Sequence, residues 1–206
     1  MIIRVTCKLC RRLGFSVCGK TKCASRRKPY PPGIHGRGSK RGRRRIISEY
    51  GAQLREKQKL KFLYGLNERP FKNLVSRASA AKGADTTRRV IELLERRLDN
   101  VVFRLGFAPS RRAARQMVSH RHILVDLRPV TIPSYTIKIG QRIQIRPRSL
   151  SLGLFRDLDL HLKKYEPPSW LLLDKDKKEG RVAVSPKADE AESGINLPAI
   201  IEFYSR

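Results

Sequence analysis

The stretch Ser110-Arg111-Arg112-Ala113-Ala114-Arg115-Gln116-Met117-Val118-Ser119-His120-Arg121-His122-Ile123-Leu124-Val125 changes its period halfway along. Up to Ser119 the apolar residues Ala113, Ala114, Met117 and Val118 recur at helical spacing, which predicts a short helix over 111–119 opened by Ser110. From Ile123 the pattern is that of strands. Ile123–Val125, Val130–Ile132 and Arg142–Arg146 read as three short ones, the last with strict alternation, separated by residues 126–129 and by a turn at Gly140. Upstream, Val90, Leu94, Leu98, Val101, Val102 and Leu105 line one face of a long predicted helix that starts at Thr86 or Thr87 and stops at Gly106. Two helices joined to a small antiparallel sheet make a compact α+β module over about 88–148.

Further out, Ser48 can cap a helix through Leu54, Leu60 and Leu63 that stops at Gly65. A second helix from Asn67-Glu68, with Phe71, Leu74, Val75 and Ala78 as its apolar stripe and Gly83 at its end, would pack on the first as a hairpin. After the module come a Leu-rich stretch to Leu160, the break Pro167-Pro168, Trp170 with Leu171–Leu173, and a strand-like apolar piece, Ala199–Tyr204.

Charge divides the chain differently. Forty-six Lys and Arg against eighteen Asp and Glu give +28 on 206 residues, a self-repulsive excess that calls for a polyanion. Residues 1–50 hold fifteen basic groups and one acid, 51–150 hold twenty-two and seven, and 151–206 hold nine and ten. The first three quarters therefore face nucleic acid, and the last quarter faces protein or solvent. No apolar run reaches the roughly eighteen residues of a membrane span. The N-terminal residues have neither a signal-peptide core nor the look of a transit peptide, so the chain is expected to stay in the compartment where it is made.

Residues 1–47 have too few large apolar groups for a core and run through Gly36-Arg37-Gly38-Ser39-Lys40-Arg41-Gly42-Arg43-Arg44-Arg45, so most of them should be extended until RNA supplies counter-charge. This segment also carries all four cysteines, Cys7, Cys10, Cys18 and Cys23. Thiolates at such spacings can wrap one structural Zn2+, whose binding energy would fold a knuckle that burial alone cannot. Reduced thiols, an iron–sulfur cluster and disulfides are the alternatives, and the short gap between the two pairs leaves them open.

Catalytic constellations are absent: there is no phosphate-cradling glycine loop, no paired-histidine metal motif and no nucleophile motif. The histidines His35, His120, His122 and His161 stand among basic neighbours and read as RNA contacts or structural residues. Arg111 and Arg115 share a helix face one turn apart with no acid at i±3 or i±4, a pair of forks suited to phosphate oxygens. The candidate RNA-binding set in this region is Arg97, Arg104, Ser110, Arg111, Arg112, Arg115, Gln116, Ser119 and His120. In the tail it is Arg26, Arg27, Tyr30, His35, Arg43, Arg44 and Arg45. Around the first long helix it is Tyr50, Arg55, Lys57, Lys59 and Lys61.

Several stretches together resemble the S4 family of small-subunit ribosomal proteins in its bacterial or organellar form. They are Arg27-Lys28-Pro29-Tyr30-Pro31-Pro32-Gly33 with His35-Gly36, Leu54–Leu60, Arg97–Phe107, Ser110-Arg111-Arg112 through Ala114-Arg115-Gln116, and Ile201–Arg206. The resemblance implies an α+β protein in which an S4-type RNA-binding domain, 88–160, is inserted in a helical domain, 48–87 plus about 161–206, behind the basic tail, 1–47, that carries the four-Cys zinc knuckle read from the cysteine spacing; that knuckle is shorter than in zinc-bearing relatives, and many relatives lack it. Residues 199–206 should then return to 48–85. It implies a structural constituent of the small ribosomal subunit, on the ribosome in the cytoplasm or in an organelle. Its partners would be the 5′ domain of small-subunit rRNA, mRNA at the entry channel and the neighbouring small-subunit protein number five, with an influence on translational accuracy and no membrane or small-molecule substrate. Regulation of its own mRNA is a further implication. An RNA-modifying enzyme that carries such a domain as an appendage would need a separate catalytic domain, for which the chain has no room. Two positions depart from the family pattern. Arg121 stands where a glycine is usual, and Asp126-Leu127 replaces the usual Asn-Gly turn, so that hairpin is expected to use a different turn.

Overall fold

The computed structural model describes residues 5–20, 22–36, 47–81, 85–187 and 194–205. In chain order the helices are α1 (Cys7–Leu13), α2 (Ala24–Arg27), α3 (Glu49–Leu63), α4 (Glu68–Ser79), α5 (Thr86–Glu95), α6 (Leu98–Arg104) and α7 (Arg111–Ser119). The strands β1 (Ile123–Val125), β2 (Arg128–Pro129) and β3 (Arg142–Ile145) follow, then α8 (Leu158–Lys163), β4 (Leu171–Asp174), β5 (Glu179–Val182) and α9 (Leu197–Ser205). They fall into two compact units, one built from the beginning of the chain to residue 87 together with 192–206, the other from 88–191.

In the second unit the strands form one antiparallel sheet in the order β2-β1-β3-β5-β4. Leu98, Val101, Val102 and Leu105 of α6 and Ala114, Met117 and Val118 of α7 close over it, meeting Ile123, Ile143, Ile145 and Val182 in a core that also holds the fully buried Trp170. Two glycines set how closely these layers approach. A Cβ on Gly180 would fall 2.3 Å from Leu105, and one on Gly106, whose φ of +78° ends the helical run, would fall 2.7 Å from the Tyr165 ring.

Four expectations need correction here. The long helix over 86–105 is two helices, because the segment 133–137 takes the backbone groups between them: Ile137 N–H donates to Arg96 O at 2.8 Å and Leu98 N–H to Tyr135 O at 2.8 Å. Val130–Ile132 is not a strand. β2 consists of Arg128 and Pro129 alone, followed by one further hydrogen bond to β1, from the Val130 N–H to Ile123 O at 3.4 Å. Residues 161–187 do not rejoin the helical unit, because β5 pairs with β3, Ile143 opposite Gly180, and carries β4 with it. The β1–β2 loop does use the turn that Asn-Gly would supply: Asp126 (φ 47°) and Leu127 (φ 66°) are both left-handed, as a two-residue type I′ hairpin requires. Asp126 tolerates this because Oδ1 accepts the Arg142 N–H at 3.0 Å and Oδ2 accepts Gln141 Nε2 at 2.8 Å.

In the first unit Ser48 caps α3, its Oγ accepting the Gly51 N–H at 3.2 Å. Helix α9 packs on both α3 and α4, and Glu68 at the start of α4 accepts from Lys57 and Lys61 of α3. Residues 199–204 are helical, not strand-like: Asn196 Oδ1 accepts the Ala199 N–H at 3.2 Å and Pro198 occupies the first turn, a capped start that the apolar run disguises. The amino-terminal segment is less extended than its composition suggests. Cys10, Leu13, Val17 and Cys23 are buried, and Arg11 stacks over the Tyr30 ring at 4.6 Å while donating to Tyr30 O and Pro31 O.

Candidate nucleic-acid interface

Helix α7 exists because Ser110 caps it, Oγ accepting the Ala113 N–H at 3.2 Å, and because its small residues let it lie close to α6. That closeness decides the fate of its arginines. Arg115 donates from Nε and Nη2 to Asp99 Oδ2 at 2.9 and 2.7 Å, and Arg97 grips the same carboxylate with Nε and Nη2 at 3.0 and 2.9 Å. Arg111 donates from Nε to Asn100 Oδ1 at 2.8 Å, with its guanidinium 4.7 Å over the Phe103 ring. Asn100 in turn donates to Glu95, whose fully buried carboxylate receives both arms of Arg104 at 3.0 and 2.9 Å. Arg97, Arg104, Arg111 and Arg115, all expected on RNA, thus find partners within the fold: Arg111 and Arg115 tie α7 to α6, Arg104 ties α6 to the end of α5, and Arg97 holds Asp99 two residues on. Sequence spacing hid this because their partners are not one helical turn away on the same helix.

The opposite face of α7 behaves differently. Arg112, Gln116 and Ser119, spaced i, i+4 and i+7, are exposed, and the stripe runs on into exposed His120 and Arg121. Arg146 follows β3 and donates its N–H to His122 O at 2.8 Å, while His122 Nδ1 lies 3.0 Å from Ser149 Oγ, so Arg146 and Arg148 join the same end. Among the described residues no ion pair engages Arg112, Arg121, Arg146 or Arg148. Burial first, and then the charges of His120 and Arg146, push the His122 pKa down. Arg121, Arg146 and Arg148 were missed as candidates. The signal was the run His120-Arg121-His122 itself, followed by the Arg-x-Arg after the last predicted strand.

In the other unit, Lys57 is 6% exposed and donates to Glu68 at 2.7 Å with its ammonium 4.4 Å over the Phe203 ring, so it is withdrawn from any RNA surface. Lys61 and Tyr204 also donate to Glu68, each at 2.8 Å. Burial raises the Glu68 carboxyl, but these three donors outweigh it and bring it down to about 2. Lys59 is paired with Glu56 at 2.7 Å. Arg55, Arg26 and Arg27 are exposed, and Tyr50, also exposed, lies 5.4 Å from the Phe203 ring. His35 falls in a short 3-10 turn, Ile34–Gly36, while Arg43, Arg44 and Arg45 lie outside the described residues.

The thiol sulfurs of Cys7, Cys18 and Cys23 lie within 4.8 Å of one another, and the Cys18 and Cys23 sulfurs are 3.4 Å apart. Zinc–sulfur bonds of about 2.3 Å in a tetrahedron separate sulfurs by about 3.8 Å, so three corners fit such an ion. Cys10, fully buried, is hydrogen-bonded with Cys18 and Cys23. Burial, opposed by the Val17 backbone and reinforced by those thiols, pushes it up to about 12. Burial raises Cys23 too, but hydrogen bonds from Ser25 and Ser16 prevail and bring it down to about 6. The four are free thiols, with no pair bonded.

Residues 2–95 match the family described as Ribosomal protein S4/S9 N-terminal domain, and residues 96–143 match the S4 domain. The chain is 49% identical over 201 residues to small ribosomal subunit protein uS4 of Chloroflexus aurantiacus, covering 97% of this chain and 96% of that one. It is 48% identical to the uS4 of a Geobacillus species over 98% of this chain and 96% of that one, and 45% identical to that of Thermus thermophilus over 97% and 96%. Matched by the two signatures over residues 2–143 and by relatives of close to half identity over nearly its whole length, the chain belongs to the S4 family of small-subunit ribosomal proteins, whose members are structural and not enzymatic.

Proposed function

We propose that the protein is a structural constituent of the small ribosomal subunit that binds the 5′ domain of small-subunit rRNA early in assembly. The observation that carries this reading is the segregation of cations on α7: one face neutralised inside the fold, the other left without carboxylates and exposed. Such a surface recognises RNA by its backbone. Guanidinium forks contact phosphates, released counterions supply the free energy, and the shape of a folded RNA junction selects the site. On the ribosome, in the cytoplasm or an organelle, it would lie near the mRNA entry channel beside small-subunit protein number five and contribute to decoding accuracy.

The test is titration of the purified protein with its own 5′-domain rRNA over a range of salt. Binding should be tight and fall steeply with salt, as for a surface that neutralises several phosphates. Equal affinity for transfer RNA at the same salt would overturn the reading.

The thiol cluster fits a structural Zn2+ held by Cys7, Cys18 and Cys23, with Cys10 as the fourth thiol. When bound, the ion would cross-link the turn between α1 and α2, where few apolar side chains are available to do so. Metal content per purified chain, with and without Cys7→Ser, checks this. A metal-free wild type would end it.

A further inference from the structure

We infer that Arg121, with His120, Arg146 and Arg148 around it, forms a distinct phosphate-binding point for RNA at the carboxyl end of α7. The backbone there is held in an unfavourable conformation in order to present it. Two hydrogen bonds close the helix: the Arg121 N–H donates to Val118 O at 3.1 Å and the His122 N–H to Met117 O at 3.0 Å. This pattern places Arg121 at the residue after the cap, with φ 63°, in the left-handed region. Glycine is the ordinary occupant of such a position, because a Cβ there crowds the following carbonyl. Arg121 is exposed, and among the described residues its side chain has no hydrogen bond or ion pair to repay the conformational cost.

Its neighbours add to the cost instead of relieving it. His120 is exposed, Arg146 is tied by its backbone to His122, and Arg148 is exposed two residues later. No carboxylate pairs with Arg121, Arg146 or Arg148 among the described residues, in contrast to Arg97, Arg104, Arg111 and Arg115, each of which has an acid or amide partner. Crowded cations without counter-charge repel one another, and a phosphodiester is the ligand that would relieve three of them together. A role in neutralising the helix dipole is the rival account of a cation at a helix end. The two differ in sign: if Arg121 serves the helix its removal lowers stability, whereas if it serves RNA its removal raises stability and weakens binding.

The proposal rests on the RNA-binding reading above, and one set of titrations separates them. Wild type, Arg121→Gly and Arg121→Lys are compared on 5′-domain rRNA and on transfer RNA across salt, alongside urea unfolding without RNA. Arg121→Gly should raise the folding equilibrium constant about fivefold. It should also lower the slope of log affinity against log salt by about one, while Arg121→Lys keeps the slope. A slope unchanged in Arg121→Gly, or a loss of stability in that variant, would overturn the proposal. Wild-type preference between the two RNAs reports on the wider reading alone, since the variant-to-wild-type ratio can be read on either RNA. A wild type that binds neither would overturn both.

Discussion

The two faces of α7 carry the same residue type to opposite ends. Arg111 and Arg115 face inward onto Asn100 and Asp99, whereas Arg112, one position along from Arg111, is exposed on the other face and continued by Gln116, Ser119 and His120. The difference teaches that a basic sequence and a basic surface are separate quantities. A carboxylate brought up from α6 converts a cation into a structural part, and only the cations left over can attract a polyanion.

The comparison breaks most violently at Asp99. This carboxylate is 3% exposed and receives both Arg97 and Arg115, so Asp99→Ala leaves two poorly solvated guanidiniums without a partner and should cost about 3–5 kcal/mol in urea unfolding. An effect under about 1 kcal/mol would mean that water replaces the carboxylate and that the inner face is not structural.

Next comes the contrast between single arginines. Arg115→Ala should lose about 1.5–3 kcal/mol of stability. Arg112→Ala should stay within about 0.5 kcal/mol of wild type in unfolding yet reduce the salt slope of rRNA binding by about one. If both variants lose binding equally at unchanged stability, the division between faces is wrong.

The smallest effect is expected in the other unit, where Glu68 plays the part that Asp99 plays on α6. Its carboxyl lies near 2 in the folded protein against an ordinary 4.5. A depressed acid adds stability in full above its unfolded value, and that stability is lost as pH falls from about 4.5 through about 2. The urea midpoint of the wild type should therefore drop across that window more than that of Glu68→Gln. With 46% of the side chain exposed, solvent screens the effect, which ranks it last. Parallel curves would show that Lys57 and Lys61 gain nothing from Glu68.

Much of this was legible in the chain. The switch from helical to alternating spacing at Ser119–Ile123 gave the α+β class, and Ser48 and Ser110 gave two helix starts, because caps and periodicity are local signals. What failed was non-local. The break at Arg96–Arg97 depends on a segment forty residues later, the addition of β4 and β5 to the sheet depends on Ile143 meeting Gly180, and the pairing of Arg115 with Asp99 crosses two helices. At the candidate site the arginines were recognised as a class but could not be sorted, since no spacing rule says which of them meets a carboxylate. Arg121 was visible as an oddity, and its meaning needed the value of φ.

The position of α9 bears on the order of events during synthesis. The unit of 88–191 is a continuous stretch and has every strand of its sheet to hand once it has left the exit tunnel. The other unit has no such independence. Its helices α3 and α4 must wait for α9, whose cap residue Asn196 donates its N–H to Glu56, 140 positions earlier. Contacts so far apart form late, after the closure entropy of the intervening chain has been met. A chain stalled before Leu197 would therefore present a finished sheet domain beside helices with their apolar sides still open, a form well suited to surveillance by chaperones until the last helix arrives.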